Sequence, residues 1–178
     1  MLIVIVGRSG AGKSTFVEGM GLPATIHCVL SRPMIEELQK RGVAVSHDTI
    51  SALAKEWYAA NRWWQLEYLL EEAGGKSLVV VDGLRYAFEL KRLRGLFGDM
   101  LLVRVVATPE ARFQRLKARG KVPLSSLVEF ERLEADEGGD MNIEEIMAQA
   151  DISVENIGPR EELLQKAVRF GALIKRLL

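Results

Sequence analysis

Cysteine and histidine are almost missing from this chain of 178 residues: Cys28 stands alone, and His27 and His47 are the only imidazoles. One thiol cannot close an internal disulfide, and these three side chains fall short of a zinc set. Long apolar runs are also missing. Nothing approaches the ~18 residues of a membrane span, and Arg8 interrupts the apolar start before it reaches the length of a secretory signal core. The chain further lacks an excess of either charge, with 24 Lys plus Arg against 24 Asp plus Glu. No global field therefore draws it to nucleic acid or to an anionic membrane surface. Repeats, low-complexity tracts and an interdomain linker are absent as well. These absences predict a cytoplasmic protein in a reducing environment, with neither nucleic acid nor membrane as partner. They leave the oligomeric state open, with a monomer as the default, and the length predicts a single domain over 1–178.

What is present is apolar material in an ordered alternation. Leu2, Ile3, Val4, Ile5 and Val6 form an uninterrupted apolar run, the pattern of a strand covered on both faces in a parallel sheet. Segments 78–81 and 101–107 repeat it, with Arg104 as one polar interruption, 152–154 is shorter, and 24–30 is weaker. Between them lie stretches with helical spacing at 33–40, 50–60, 63–73 and 87–97, then 110–119 behind Pro109, and 161–177. Strand-helix alternation of this kind implies crossover units, hence an α/β fold built as a three-layer sandwich. Trp57, Trp63 and Trp64 with Tyr58 could stack on a planar ligand, but aromatics at mixed helical spacing read as packing residues. Polar, Gly-bearing breaks at 120–126 and 138–142 flank a short helix near 127–135 and read as hinges of a small helical lid spanning about 119–142.

The sharpest motif follows the first strand. Gly7, Gly12, Lys13 and Ser14 satisfy the Gly-x4-Gly-Lys-Ser/Thr pattern, with an apolar strand before it and a plausible helix after it. Glycines let the backbone wrap an anion, and Lys13 adds a point charge near the β- and γ-phosphates of a nucleotide. Gly7, Ser9, Gly10, Ala11, Gly12, Lys13, Ser14 and Thr15 are therefore predicted to bind ATP, with Ser14 ligating Mg2+ through its hydroxyl. An apolar strand ending in Asp82 supplies a carboxylate for the same metal or its water shell.

Cationic groups gather around these two elements in the sequence. Gly83 and Arg85 follow Asp82, at the strand end where ligands of open α/β sheets collect, and a guanidinium there can clamp a second phosphate. Arg112, Arg115 and Arg119, at i, i+3 and i+7, share one helix face leading into the lid, and Lys121 and Arg132 flank it. Phosphoryl transfer asks a protein to position donor and acceptor and to neutralise spreading charge. This assigns Lys13, Asp82, Arg115, Arg119 and Arg132 to catalysis; the plain alternative for the Arg row is a solvated helix face.

The loop, the Asp82-Gly83-Leu84-Arg85 stretch, residues 107–116 (ATPEARFQRL) and residues 150–158 (ADISVENIG) together resemble the nucleoside-monophosphate-kinase-like P-loop group. Within it, the pattern is similar to archaeal adenylate-kinase-related proteins described as dephospho-coenzyme A kinase-like. The resemblance covers nearly the whole chain and is weakest between Gly21 and Ala73. It implies a five-stranded parallel core, Lys13 and Ser14 on the donor phosphates, and Arg85 and Arg32 on the acceptor phosphate within an acceptor-binding helical region at about 31–73. It also implies Arg115, Arg119 and Arg132 in or beside the lid, and Asn156 near the donor base. Family members commonly carry Gly-Asp shortly before the position of Arg32; Cys28-Val29 stands there instead, which removes a possible acceptor-site carboxylate.

The activity implied is transfer of the γ-phosphoryl of ATP to a small phosphorylated or hydroxylated acceptor, with a nucleoside monophosphate first and dephospho-coenzyme A second. A nucleotide-dependent ATPase or switch without a small-molecule acceptor is the reading from another class. An Asn-Lys-x-Asp base-recognition motif and a Leu-Ser-Gly-Gly-Gln motif are both missing, which disfavours a Ras-like GTPase and a transporter ATPase.

Overall fold

A computed structural model describes residues 1–22, 26–119, 126–136 and 142–178. The apolar runs become strands: β1 Leu2–Val6, β2 Ile26–Val29, β3 Val79–Asp82, β4 Met100–Val106 and β5 Ile152–Glu155. They form one sheet in the order β2-β3-β1-β4-β5, with every pairing parallel. In β1, the middle strand, all five residues are buried, as a strand covered on both faces requires.

The helices among the described residues are α1 Lys13–Gly19, α2 Arg32–Lys40, α3 His47–Ala60, α4 Trp64–Ala73, α5 Ala87–Leu96, α6 Pro109–Ala118, α7 Leu127–Asp136, α8 Ile143–Ala148 and α9 Arg160–Leu177. The alternate faces of β1 feed two cores. Leu2, Val4 and Val6 pack with residues of α4, α5 and α8, while Ile3 and Ile5 pack with α1 and α9. The result is a three-layer α/β/α sandwich. The second face is tight because Gly171 of α9 lies against the carbonyl of Met20, and a side chain there would strike it.

Several boundaries differ from the pattern reading for local reasons. Helix α3 starts three residues earlier than its apolar spacing suggests, because Ser46 and Thr49 form a reciprocal capping box. Helix α8 carries too few turns for its periodicity to be read. It ends where the Arg104 guanidinium meets the Met147 carbonyl at 3.5 Å, which gives the polar interruption in β4 its purpose. The aromatic residues mostly pack, as their spacing indicates. Trp57 and Trp64 meet edge to face with ring centroids 4.7 Å apart beside Met34, Leu38 and Leu53, and Trp63 stays at the rim, 38% exposed.

The lid expectation falls partly outside the described residues, which omit 120–125 and 137–141 and so leave Lys121 without a placement. Its described part, α7, lays Phe130 against Phe113 and Leu116 of α6. The start of the weak strand at 24–30 also lies outside them.

Candidate functional site

The chain leaves β1 at Val6 and turns over the C-terminal edge of the sheet through residues 7–12 before entering α1. A side chain at Gly7 would run into the Val105 carbonyl oxygen of the neighbouring strand, and one at Gly12, where φ is 105°, would strike Asn156. Only glycine meets both demands. The loop is then held from outside by its carbonyls. Lys13 Nζ donates to Gly7 O at 2.9 Å, the Ala11 amide to Arg8 O at 3.1 Å, Arg112 to Ser9 O at 3.4 Å, Arg115 to Gly10 O at 3.3 Å, and Asn156 Nδ2 to Ala11 O at 2.7 Å. Five successive carbonyls are thus consumed by the protein itself. Peptide N–H groups point opposite to their carbonyls, so the loop's interior is a concavity of donors. No side chain caps the start of α1, and Ser14 there is exposed.

Asp82 closes β3 beside this loop, its Oδ1 3.9 Å from Lys13 Nζ. That oxygen is buried and has no hydrogen-bond partner among the described residues. Burial lowers the Lys13 pKa; Asp82 opposes that shift, and the nearby charges of Arg85 and Arg112 deepen it. The buried ammonium, crowded by two guanidiniums, has only the distant Asp82 oxygen as counter-charge, and that oxygen has no hydrogen-bond partner, so each is open to a further partner of opposite charge. A phosphate on Lys13 and a magnesium ion, or its water, on Asp82 and the Ser14 hydroxyl would fit this donor set.

The Arg row is graded along α6. Arg112 is 4% exposed and Arg115 half-buried, both turned onto the loop, while Arg119 is exposed. Arg115 also reaches the backbone and side-chain oxygens of Asn156 at 3.1 and 3.3 Å, so Asn156 joins Arg115 to the loop carbonyl of Ala11. Arg132, by contrast, is exposed on α7, two residues from the inward Phe130 and Glu134. In this conformation it is Glu134, rather than Arg132, that α7 presents to the loop. The inward carboxylate was legible as a residue four positions after Phe130, on the same helical face.

On the other side of Asp82, Gly83 and Arg85 continue the chain toward α5, and Arg85 stands close enough to Lys13 to lower its pKa. Arg32 begins α2 and donates to the His27 carbonyl at 3.3 Å. The sequence reading overlooked what lies between these arginines and the helical arm. Glu89, 1% exposed in the first turn of α5, receives Tyr58 Oη at 2.7 Å; Tyr58 also meets Gln65 Oε1 at 2.6 Å, and Gln65 reaches Leu30 O at 3.4 Å. One phenolic hydrogen cannot serve two acceptors. Burial raises the Glu89 carboxyl to about 7, against weaker opposing hydrogen bonds from Tyr58 and the Tyr86 backbone. A proton on Glu89 lets it donate to Tyr58 while Tyr58 donates to Gln65. The signal was a Glu at an inward position of α5, flanked by Phe88 and Leu90.

A UPF0200 protein of Thermococcus kodakarensis is 31% identical to the chain, with 100% of this chain and 96% of the relative covered, and one of Methanopyrus kandleri is also 31% identical, over 88% and 81%. The chain belongs to the UPF0200 family. A UPF0200/UPF0201 protein of Archaeoglobus fulgidus is 31% identical as well, but this UPF0200 chain spans only about half of its length, 53%. No protein-family profile matches. Among solved structures, a Thermus thermophilus protein superimposes with a TM-score of 0.61 at 27% identity, covering 100% of this chain and 98% of that one. Shikimate kinase from Aquifex aeolicus gives a TM-score of 0.56 at 20% identity over 97% and 99%. The second likeness fixes the fold alone: the UPF0200 chain has the architecture of the P-loop kinases. Among its described residues, no helix is long and apolar enough to cross a membrane.

Proposed function

We propose that this UPF0200 protein is an ATP- and magnesium-dependent phosphotransferase of the adenylate-kinase-related kind, acting on a small phosphorylated acceptor. A nucleoside monophosphate is the first acceptor class and dephospho-coenzyme A the second. The observation that carries the reading is the loop whose carbonyls, from Gly7 to Ala11, are all taken up by the protein, which leaves the amides other than that of Ala11, and the remaining hydrogens of the Lys13 ammonium, for an anion.

In this reading the loop backbone and Lys13 hold the β- and γ-phosphates, and Asn156 closes the donor side. Ser14 and Asp82 would hold magnesium, which would supply charge to screen the phosphates. Arg85 and Arg32 grip the acceptor's own phosphate, bringing its nucleophilic oxygen in line with the γ-phosphorus. For a nucleoside monophosphate that oxygen is an ionised phosphate oxygen, which has no proton to lose; it forms the new P–O bond as the bond to the β–γ bridging oxygen breaks, and ADP departs. Arg115, Arg119 and, after movement of α7, Arg132 neutralise charge spreading over the transferring group.

A coupled assay for ADP production against nucleoside monophosphates, dephospho-coenzyme A and shikimate tests this directly. Turnover that requires a phosphorylated acceptor and Lys13 supports it. Hydrolysis of ATP at one rate whatever acceptor is added replaces it with an ATPase or switch, and turnover with shikimate alone removes the acceptor-phosphate role of Arg85 and Arg32.

A further inference from the structure

Beside the loop, α7 presents an anion where the chain has otherwise collected cations. Glu134 binds the Arg112 guanidinium with both oxygens, one to Nη1 and the other to Nη2 at 2.6 Å. The same carboxylate lies 3.5 Å from Nη1 of Arg8, a loop residue, whose Nε pairs with the exposed Glu144 of α8 at 2.7 Å. Arg112 is buried, its ring-facing side lies over Phe130, and its backbone rests on Gly10. Two guanidiniums, one from the loop and one from the helix above it, thus converge on a single carboxylate.

We infer that the Arg8–Arg112 pocket is a binding site for a phosphate of the nucleotide, and that Glu134 is a built-in stand-in which the nucleotide displaces. This rests on the loop being a triphosphate site. A guanidinium fork fits carboxylate and phosphate oxygens with the same two parallel bonds, so one anion can replace the other without leaving Arg112 unpaired. That matters because Arg112 is too buried to be left without an anion, and exchange avoids the cost that simple opening would incur. The departing Glu134 meets water; among the described side chains of α7, Phe130 and partly buried Leu127 supply its contact with the apolar cluster on α6. A phosphate bearing more than one negative charge repels the carboxylate it replaces. Glu134 therefore acts as an internal competitor: triphosphate affinity is set by the fraction of molecules in which it has let go.

The test compares ATP and inorganic tripolyphosphate binding by the unaltered protein, Glu134→Gln and Lys13→Ala, using calorimetry. Glu134→Gln keeps the side-chain shape and removes the competing charge, so it should bind both ligands about tenfold or more tightly, with adenosine binding unchanged. Binding by the parent that depends on Lys13, together with equal or weaker binding by Glu134→Gln, overturns the inference and leaves the nucleotide reading standing. No binding of either ligand by any of the three proteins overturns both. Hydrogen exchange on the unaltered protein gives a reading independent of the variant's folding. Amides of α7 should exchange faster when tripolyphosphate alone is added, and a slower or unchanged rate there identifies Glu134–Arg112 as an ordinary structural pair.

Discussion

The two sides of Asp82 are built on different principles. On the proposed donor side the backbone is arranged for recognition: glycines 7, 10 and 12 shape the loop, and Lys13, Arg112, Arg115 and Asn156 hold its carbonyls outward. On the proposed acceptor side that task falls to side chains. Arg32 and Arg85 stand at element ends, and behind them the α3–α4 arm is joined to α5 by the buried Tyr58–Gln65–Glu89 chain and by rings, with Tyr58 and Tyr86 centroids 4.4 Å apart. A surface made of peptide groups binds what every nucleotide shares, its phosphates, whereas a surface made of side chains is free to select one acceptor. Conserving the donor chemistry while varying the acceptor is what such a division permits.

The largest expected effect breaks the donor side. Lys13→Ala should lower turnover by about 10³-fold or more and weaken ATP binding, since it deletes the charge nearest the transferring group. Far-ultraviolet circular dichroism should show the fold retained, because Lys13 belongs to neither apolar core. Unchanged ATP affinity and turnover in the folded variant would remove the loop from the mechanism.

Next in size is the titration of Glu89. Its folded carboxyl is raised from the usual 4.5 to about 7 by burial, so between these values the folded state holds a proton that the unfolded chain has released. Stability from this group is complete below 4.5 and is lost as pH rises through 7, by about 3 kcal/mol in all. Urea melts of the parent and of Glu89→Gln, run from pH 4 to 8, should diverge accordingly, with the variant gaining on the parent as pH rises. Parallel curves would mean that Glu89 is ionised and that Tyr58 donates to it alone.

Arg85→Lys sharpens the comparison across the two sides. An ammonium cannot reproduce a bidentate grip on phosphate, so kcat/KM for the acceptor should fall about 10- to 100-fold, or up to ~3 kcal/mol of transition-state binding. The ATP dissociation constant should change little. Equal losses for donor and acceptor would move Arg85 to the donor side.

The smallest effect is expected at Asn156, which is buried with its Nδ2 on Ala11 O. Asn156→Ala leaves that carbonyl and Arg115 short of a partner and should cost about 1–2 kcal/mol of stability. Measured by thermal unfolding, the loss should grow when ATP is added, since a variant with a weakened donor side binds ATP less tightly and gains less stability from it. A loss that ATP does not change would confine Asn156 to packing between β5 and α1.

The donor side was largely open to reading because its signals are local. An all-apolar run followed by glycines at fixed spacing and a Lys-Ser pair determines strand, turn and helix start within 15 consecutive residues, and the same run implied a strand buried on both faces. The layers follow from strand-helix alternation, whereas the order β2-β3-β1-β4-β5 came from the structure, because the same alternation is compatible with several orders. Asn156 was legible as a site residue only through the resemblance, and the structure joins it to the loop 145 positions away. The sequence by itself thus determined the phosphate loop, the strands and the cation-rich helix, all set by neighbours along the chain. Tertiary structure alone decided that Arg112 and Arg115 face the loop while Arg119 and Arg132 face solvent, that Glu134 answers Arg112, and that burial raises the Glu89 carboxyl to about 7. Each of these depends on which groups are desolvated together, and desolvation is a property of the packed layers that no stretch of sequence carries.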